Sequence, residues 1–588
     1  MPESSGDQWV YVAAPLFLYG IVVLGLAMWG YANGDIEDRN PITAFFRSIS
    51  HSLNRLTGLP GWCMAGALTA LMSAGIAAFG LYWDVAWHID FGRDKELFTP
   101  SHTLILIGLN GLVFAAIIAV IFATLDRSEG AGTGGRALRI PWSALVLGAL
   151  GLGSAAAFPL DELWHQSYGV DVTLWSPTHL QLIAGGALSP IAIWLMIREG
   201  RREAGAAPNM LGKGIEALSF GAILTGLATY QGEFDFGVPQ FQVLYHPLLI
   251  AAAGGLALVA ARAAIGTGGA LLAVANFLGL RLVLGALVGG ALNHSYPRFP
   301  LYLAAAVAVE VAAWWLGTEQ RVRFALVSGA LVGTVGVAAE LAWVELSGWG
   351  SVRSTGLPVA VVLSVVAATA AALLGVALVQ GAVPSAEPKV QPMLLACAGL
   401  ALVAVLAAPL PRNVGDVGAV ITLDRLEGEA TVTVQLEPAT AAQDATQFGV
   451  IAWQGGGRVL AELDEVGPGR YVSTRPIPIN GEWKSLVALQ RGDEVMAAPI
   501  YLPADPEIGA SAIPAQLERR EAFTRNTDIL LREAKEGPAW PALLSYTGVA
   551  VILAIWVAMF ARASSRVRPL PSKPRSDTRL GAPEPELV

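Results

Sequence analysis

Charge is scarce in this chain. Asp, Glu, Lys and Arg make up 14% of the 588 residues, against about 25% in ordinary soluble domains, which excludes a simple water-soluble globule. Cysteine is scarcer still. Cys63 and Cys397 both lie in apolar runs, and they form neither a disulfide framework nor a CxxC motif. The nine methionines build no Met-x3-Met ladder, so the sequence offers no soft-ligand path for Cu(I) across a membrane. No basic stripe interleaved with aromatics occurs, and a nucleic-acid partner is not expected. The opening MPESSGDQWV is acidic and lacks a basic n-region, so no cleaved signal peptide is expected.

Long apolar runs fill the space that charge leaves. Runs of about 18 residues or more can cross a bilayer, and thirteen spans are expected: roughly 10–32, 61–83, 102–125, 141–160, 179–198, 211–231, 246–266, 269–292, 299–317, 323–345, 357–381, 393–410 and 541–562. Arg39, Arg47 and Arg55 precede the second span, REGRREAG follows the fifth, EQRVR the ninth and RASSRVRPLPSKPR the last. The positive-inside rule then places the chain in the cytoplasmic membrane, among its lipids, with the N-terminus outside and the C-terminus inside. Residues 1–60 hold the first span and a cytoplasmic amphipathic segment, 61–410 a helical membrane domain, 411–540 an extracytoplasmic domain, and 541–588 the last span and a basic tail.

The 411–540 segment has a different texture. AVITLDRL, ATVTVQLE, FGVIAWQG, GRYVSTRP and KSLVALQR alternate apolar and polar residues between Gly and Pro, which signals antiparallel strands. A small β-sandwich is expected, followed by a polar helix around IPAQLERREAFTRNTDILLREAKEG. The segment has no His and no Cys, so it is not expected to hold a type-1 copper centre. It is expected to act as a docking or capping domain.

Histidine is rare, seven in all, and four of the seven lie in two copies of one pattern. WDVAWHIDFGRDKELFTPSH (83–102) and LDELWHQSYGVDVTLWSPTH (160–179) share D-x-x-W-H-x-x-x-G-x-D-x-x-x-x-x-P-[ST]-H. Asp84 and His88, like Asp161 and His165, are spaced i, i+4 on one helix face. Pro100-Ser101 and Pro177-Thr178 are expected to place an N-cap hydroxyl before the next helix, so that His102 and His179 open the returning helices. Each helical hairpin then brings one carboxylate and two imidazoles to one point. That donor set suits a borderline divalent metal, and copper, iron and zinc all accept it. Trp87, Trp164 and Trp175 are expected to exclude water. Asp90, Arg93, Asp94 and Asp171 are expected to orient the imidazoles, and Gly92 and Gly169 to supply a positive φ. Beyond the ligands the first hairpin carries Asp90, Arg93, Asp94 and Lys95, the second Glu162 and Asp171. The second centre is therefore expected to hold a divalent cation more tightly.

A third, degraded copy runs through GEFDFGVPQFQVLYHP, with Glu233, Asp235 and Gly237 before His246. His246, His294 and Asp235 are further candidate ligands, with Asp94 and Asp171. Six of the seven histidines fall at the outer ends of spans; His51 does not. Arg281, Glu310 and Glu340 lie inside spans, where charge is costly. A structural clamp of Arg281 with one of the glutamates is expected.

The two triads resemble those of the C subunit of the copper membrane monooxygenases, the family of particulate methane and ammonia monooxygenase. That subunit carries Asp-x3-His-x12-His and Asn-x3-His-x13-His. Here Asp84-x3-His88-x13-His102 is one residue longer than the first, and Asp161 of Asp161-x3-His165-x13-His179 stands in place of the asparagine. The likeness covers about residues 60–200. It implies copper at these six residues, O2 activation, hydroxylation of a small apolar substrate, partner subunits and an oligomer. GPGRY and NGEW in the β region are similar to modules attached to copper-uptake membrane proteins. Three functions stay open: the copper monooxygenase, or a subunit of one, that the resemblance implies; a copper or other metal transport or assembly protein; and a non-haem iron oxygenase using the same two-His, one-carboxylate set.

Overall fold

The computed structural model describes residues 41–93, 98–131, 138–169, 174–205, 207–348, 352–381, 389–534 and 537–567, with scattered helical positions between 14 and 25. An amphipathic helix, α1 (Pro41–Thr57), leads into ten helices long and apolar enough to cross a membrane among the described residues. They are α2 (Gly61–Phe91), α3 (Pro100–Leu125), α4 (Trp142–Tyr168), α5 (Pro177–Ala204), α6 (Met210–Phe236), α7 (Tyr245–Ile265), α8 (Gly269–Ala291), α10 (Arg321–Leu346), α11 (Ser354–Val379) and α14 (Ala539–Arg566). Two apolar helices are shorter: α9 (Leu303–Leu316) and α12 (Pro392–Ala407). The remaining expected span, 10–32, lies largely outside the described residues.

The 14 residues of α9 reach only about 21 Å at 1.5 Å per residue, short of a hydrocarbon core of about 30 Å. Residues 292–302 before it are non-helical. Parts of this backbone are paired to side chains and main chain of neighbouring elements. Arg298 N–H donates to the Asp235 carbonyl at 3.0 Å. The N–H groups of Leu301 and Tyr302 donate to Glu340 at 2.8 and 2.6 Å. Glu340 thus caps the start of α9 rather than pairing with Arg281. Glu310 serves α8 in the same way, accepting from Gly268 and Ala270 N–H and pairing with Arg262 at 2.8 Å. The partner of Arg281 is Asp235, 2.6 Å away, both fully buried, with the guanidinium also stacked 4.1 Å from the Tyr82 ring. A clamp forms as expected, but a buried ion pair needs close geometry and a neighbouring element supplies a nearer carboxylate.

The two motif-bearing hairpins, α2–α3 and α4–α5, pack through matched small residues. A Cβ on Gly108 would lie 2.4–2.7 Å from Ala77, and one on Gly185 would lie 2.0 Å from Ser154 Oγ. Gly108 stands six residues after His102, and Gly185 six after His179. Ala77 and Ser154 each stand seven before the motif aspartate. The duplication therefore extends to the residues that let the helix pairs approach, and close approach is what allows the ends to converge.

The region before α14 folds as β1 (Gly418–Leu426), β2 (Glu429–Glu437), β3 (Gln447–Trp453), β4 (Arg458–Gly467), β5 (Arg470–Ser473), β6 (Ile477–Pro478), β7 (Lys484–Arg491), β8 (Glu494–Tyr501), β9 (Glu518–Ala522) and β10 (Thr524–Arg525). All pairings between strands are antiparallel, in the order β10-β8-β7-β3-β4-β5-β2-β1-β9, with β6 on β2. The expected two-sheet sandwich is instead a nearly closed barrel, because two strands turn corners. β4 pairs with β3 through Arg458–Glu462 and with β5 through Leu463–Gly467. β9 pairs with β1, and β10, one residue further on, pairs with β8. Only buried Phe523 separates them. The polar helix expected here is correspondingly replaced by β9, β10 and the short α13 (Asn526–Leu530). The open edges of β1 and β8 offer backbone pairing that outweighs the helix propensity of LERREA.

Candidate metal centres

Each centre is assembled from the last turn of one helix and the first turn of the next. Thr99 and Ser176 are the N-caps of α3 and α5, accepting from His102 and His179 N–H at 3.2 and 3.1 Å. Pro100 and Pro177 occupy N1, where no N–H is needed. The cap thus stands one residue before the proline, not one after it as the motif suggests. Ser101 and Thr178 are left to support the carboxylates. Their hydroxyls donate to Asp84 Oδ1 at 2.8 Å and Asp161 Oδ1 at 2.5 Å. The [ST]-P-[ST]-H run therefore reads as cap, first turn, carboxylate support and candidate ligand, a signal present in both copies.

The three side chains of each motif meet. In the first centre, His102 Nε2 lies 3.1 Å from Asp84 Oδ1 and His88 Nε2 lies 3.7 Å from Asp84 Oδ2. In the second, His165 and His179 present Nε2 to Asp161 Oδ2 at 3.0 and 3.2 Å. Within each triad one donor atom per residue lies within 4.8 Å of the others, and among the described residues these are the two His/Cys/Asp/Glu groups with metal-binding spacing. All six side chains are half-buried.

The far nitrogens of His88 and His165 decide the chemistry. Nδ1 contacts the carbonyl oxygens of Gly92 at 3.0 Å and Gly169 at 3.2 Å. A carbonyl only accepts, so Nδ1 carries the proton, and in a neutral ring Nε2 presents a lone pair to a carboxylate oxygen. Two acceptors facing each other need a cation between them, either a proton or a metal ion. Gly92 and Gly169 have φ +89° and +91°, a backbone conformation open to glycine, and it places each carbonyl against its imidazole.

The other candidates are engaged elsewhere. His294 lies between Asp90, 3.1 Å from Nδ1, and Trp83, whose indole N–H donates to Nε2 at 3.2 Å. Both its nitrogens are thus used, and its ring packs on Trp87 and Phe91. Asp90 also accepts from Ser295 N–H at 2.8 Å, so it orients His294 rather than a triad imidazole. Arg93 points away, to Asp505 at 2.5 Å and Glu507 at 2.8 Å. His246 is buried, stacked on Phe234 at 5.1 Å, and Asp235 belongs to Arg281. Asp94, Lys95 and Asp171 lie outside the described residues. The rings of the motif tryptophans pack on other aromatics, Trp87 on Phe91 and His294 among them. Trp164 stacks on Tyr168, and Trp175 packs on Phe241 and Tyr245. Phe158 of α4 meets the His102 ring edge-on at 5.9 Å, a contact with no signal in the motif.

Below the triads lies an apolar crevice of about 400 Å³ between α2, α3, α5, α6 and α8. Leu81, Ile105 and Leu182 line it. Each stands three residues, about 4.5 Å along a helix axis, from Asp84, His102 and His179.

The fold and the two centres define a multi-pass helical membrane protein with a pair of Asp/His/His triads that can hold metal ions. Comparison of the chain with known protein families, curated proteins and solved structures finds no match.

Proposed function

We propose that each triad binds one divalent transition-metal ion and that the chain is a copper-dependent membrane monooxygenase, or the metal-bearing subunit of one. It hydroxylates a small apolar substrate with O2, taking two electrons and two protons from a donor. The observation that carries the metal assignment is geometric: carbonyls hold Nδ1 of His88 and His165, and Nε2 of each ring faces a carboxylate. Ligating histidines commonly donate their other N–H to a carbonyl in this way. Copper bound to such a set supplies one-electron chemistry towards O2.

The chain's own residues do the rest. Ser101 and Thr178 hold the carboxylates, Gly92 and Gly169 hold the imidazoles, and Phe158 shields His102. The crevice beneath the triads offers an apolar substrate a path from the lipid phase. In this reading the membrane is the cytoplasmic one, the triads lie at its outer face, and partner subunits deliver electrons. The same donor set is the non-haem iron triad, which makes iron the competing metal.

Metal analysis of the purified protein, with electron paramagnetic resonance of the bound ion, is the test. Two copper ions per chain, one lost on His88→Ala and the other on His165→Ala, together with substrate-dependent O2 uptake when a reductant is supplied, are expected. Iron in the same two places would move the assignment to an iron oxygenase. Protein that retains no metal after loading with Cu(II), Fe(II) or Zn(II) would refute the reading.

A further inference from the structure

The last turn of α2, which carries His88, is finished by the β domain. A helix C-terminus leaves carbonyls without intrahelical partners, and here the turn between β3 and β4 supplies them. Gln454 N–H donates to the Ile89 carbonyl at 3.0 Å, and Gly456 N–H to the Asp90 carbonyl at 3.0 Å. The Gln454 side-chain amide donates to the carbonyl of His88 itself at 3.2 Å. The turn is shaped for this approach: Gln454 has φ +64° and Gly456 φ +88°. Its fit against the ligand turn is close, since a Cβ on Gly92 would lie 3.3 Å from Gln454 Cδ. Gly92 is also the residue whose carbonyl holds the His88 ring. Arg93, one residue on, is clamped by Asp505 and Glu507. Beneath the turn, Tyr82, Ala86 and Ile89 of α2 share one buried apolar cluster with Ile451, Trp453 and Leu486 of the barrel.

The second centre is held differently. Tyr168, at the end of α4, donates to the Pro538 carbonyl at 2.8 Å. A Cβ on Gly169 would collide with the carbonyl of Glu533. These contacts come from the chain that links the barrel to α14, not from the β3–β4 turn.

We propose that the β domain is the positioning element of the first metal centre and not of the second, with Gln454 as the residue through which it acts on His88. The inference rests on the reading of the triads as metal centres. It assigns the barrel a role without any metal ligand of its own: it sets the orientation of an imidazole on another domain by fixing the main chain from His88 onward. Supporting residues of this kind change metal affinity by about 10- to 100-fold when altered.

The test uses two full-length parents. His165→Ala/His179→Ala leaves the first centre alone, and His88→Ala/His102→Ala leaves the second. Gln454→Glu, nearly isosteric but without the amide donor, is added to each. Co(II) is titrated into all four proteins and followed by its ligand-field absorption and paramagnetic resonance. The expected result is a loss of about tenfold or more in affinity, with an altered spectrum, in the first parent. In the second parent the affinity and spectrum stay unchanged, which also reports that the variant folds. Arg93→Gln, which loosens the same clamp, moves the first centre in the same direction. Unchanged affinity in the first parent, or equal losses in both, overturns the proposal. Parents that bind no Co(II) at all overturn the metal-centre reading itself, and the two failures are thereby distinguishable.

Discussion

Ser101 donates its hydroxyl proton to Asp84 at 2.8 Å, seventeen residues away in sequence and one hairpin turn away in space. Thr178 makes the same bond to Asp161. In the first centre the oxygen so held also faces His102, and in the second the other oxygen faces both imidazoles. Ser101→Ala and Thr178→Ala are each expected to lower divalent-metal affinity at their own centre by about 10- to 100-fold, with the other centre unchanged. Competitive chelation of each variant measures this.

The second triad is the more compact. Both its imidazoles lie within 3.2 Å of one carboxylate oxygen, while His88 stands 3.7 Å from Asp84. The charges that distinguish the hairpins in sequence matter less than they suggest, because Asp90 and Arg93 are turned to other partners. Compactness still favours the second centre. Under mild chelation, wild-type protein is expected to lose the ion of the Asp84 triad first, with His165→Ala retaining only the more exchangeable ion. Release of the second-centre ion first would contradict this.

Arg281 and Asp235 are fully buried partners. Removing one leaves the other as an uncompensated charge, so Arg281→Met is expected to destabilise the membrane domain by roughly 3–5 kcal/mol. Arg281→Met/Asp235→Leu, which removes both charges, is expected to cost much less. Thermal unfolding in detergent, compared across the single and double variants, checks the sign of the coupling.

The Arg93 clamp lies outside the membrane spans and titrates. Its hydrogen bond to Arg93, the largest influence, holds the Asp505 carboxyl below the ordinary aspartate value. A depressed folded-state value means that the clamp's stabilisation is fully present above the unfolded value of about 3.9. It is lost as pH falls through the folded one. Hydrogen exchange of the Gln454 and Gly456 amides is expected to stay slow from pH 7 down to about 4 and to quicken, after correction for intrinsic rates, only below that. Asp505→Asn is expected to abolish the pH step.

Much of this is legible in the sequence, and the differences have physical causes. The motif spacing brings Asp84, His88 and His102 together, and their counterparts, because helix periodicity and a short hairpin leave little freedom. The capping residue shifts because proline at N1 is also the residue that hides the cap: both Thr99 and Ser101 are good caps by type, and only geometry separates them. Composition points Arg281 to a glutamate because Asp235 lies at the end of α6, and nothing in a linear sequence says that residues 292–302 fold inward to join them. The barrel resembles a sandwich in sequence because alternation reports a strand's two faces, not whether β4 changes partners halfway along. His294 has the right composition for a ligand, but its surroundings on α2 satisfy both nitrogens.

The last helix has a consequence for how the protein is made. α14 lies against the hairpin of the second triad: Tyr546 donates to the Trp175 carbonyl at 3.2 Å and meets Trp164 edge-on, and Trp556 fills the space beside Gly153. Between the end of α5 at Ala204 and the start of α14 at Ala539, a ribosome working at about 5–20 residues per second needs roughly 20–70 s. Throughout that interval the nascent hairpin sits in lipid with its lateral neighbour not yet synthesised. The second triad therefore reaches its final enclosure only when translation is nearly over, and the first waits for Gln454 and Gly456 of the barrel. Both hairpins are thus made long before the segments that enclose them, the β3–β4 turn at Gln454 for the first and α14 for the second.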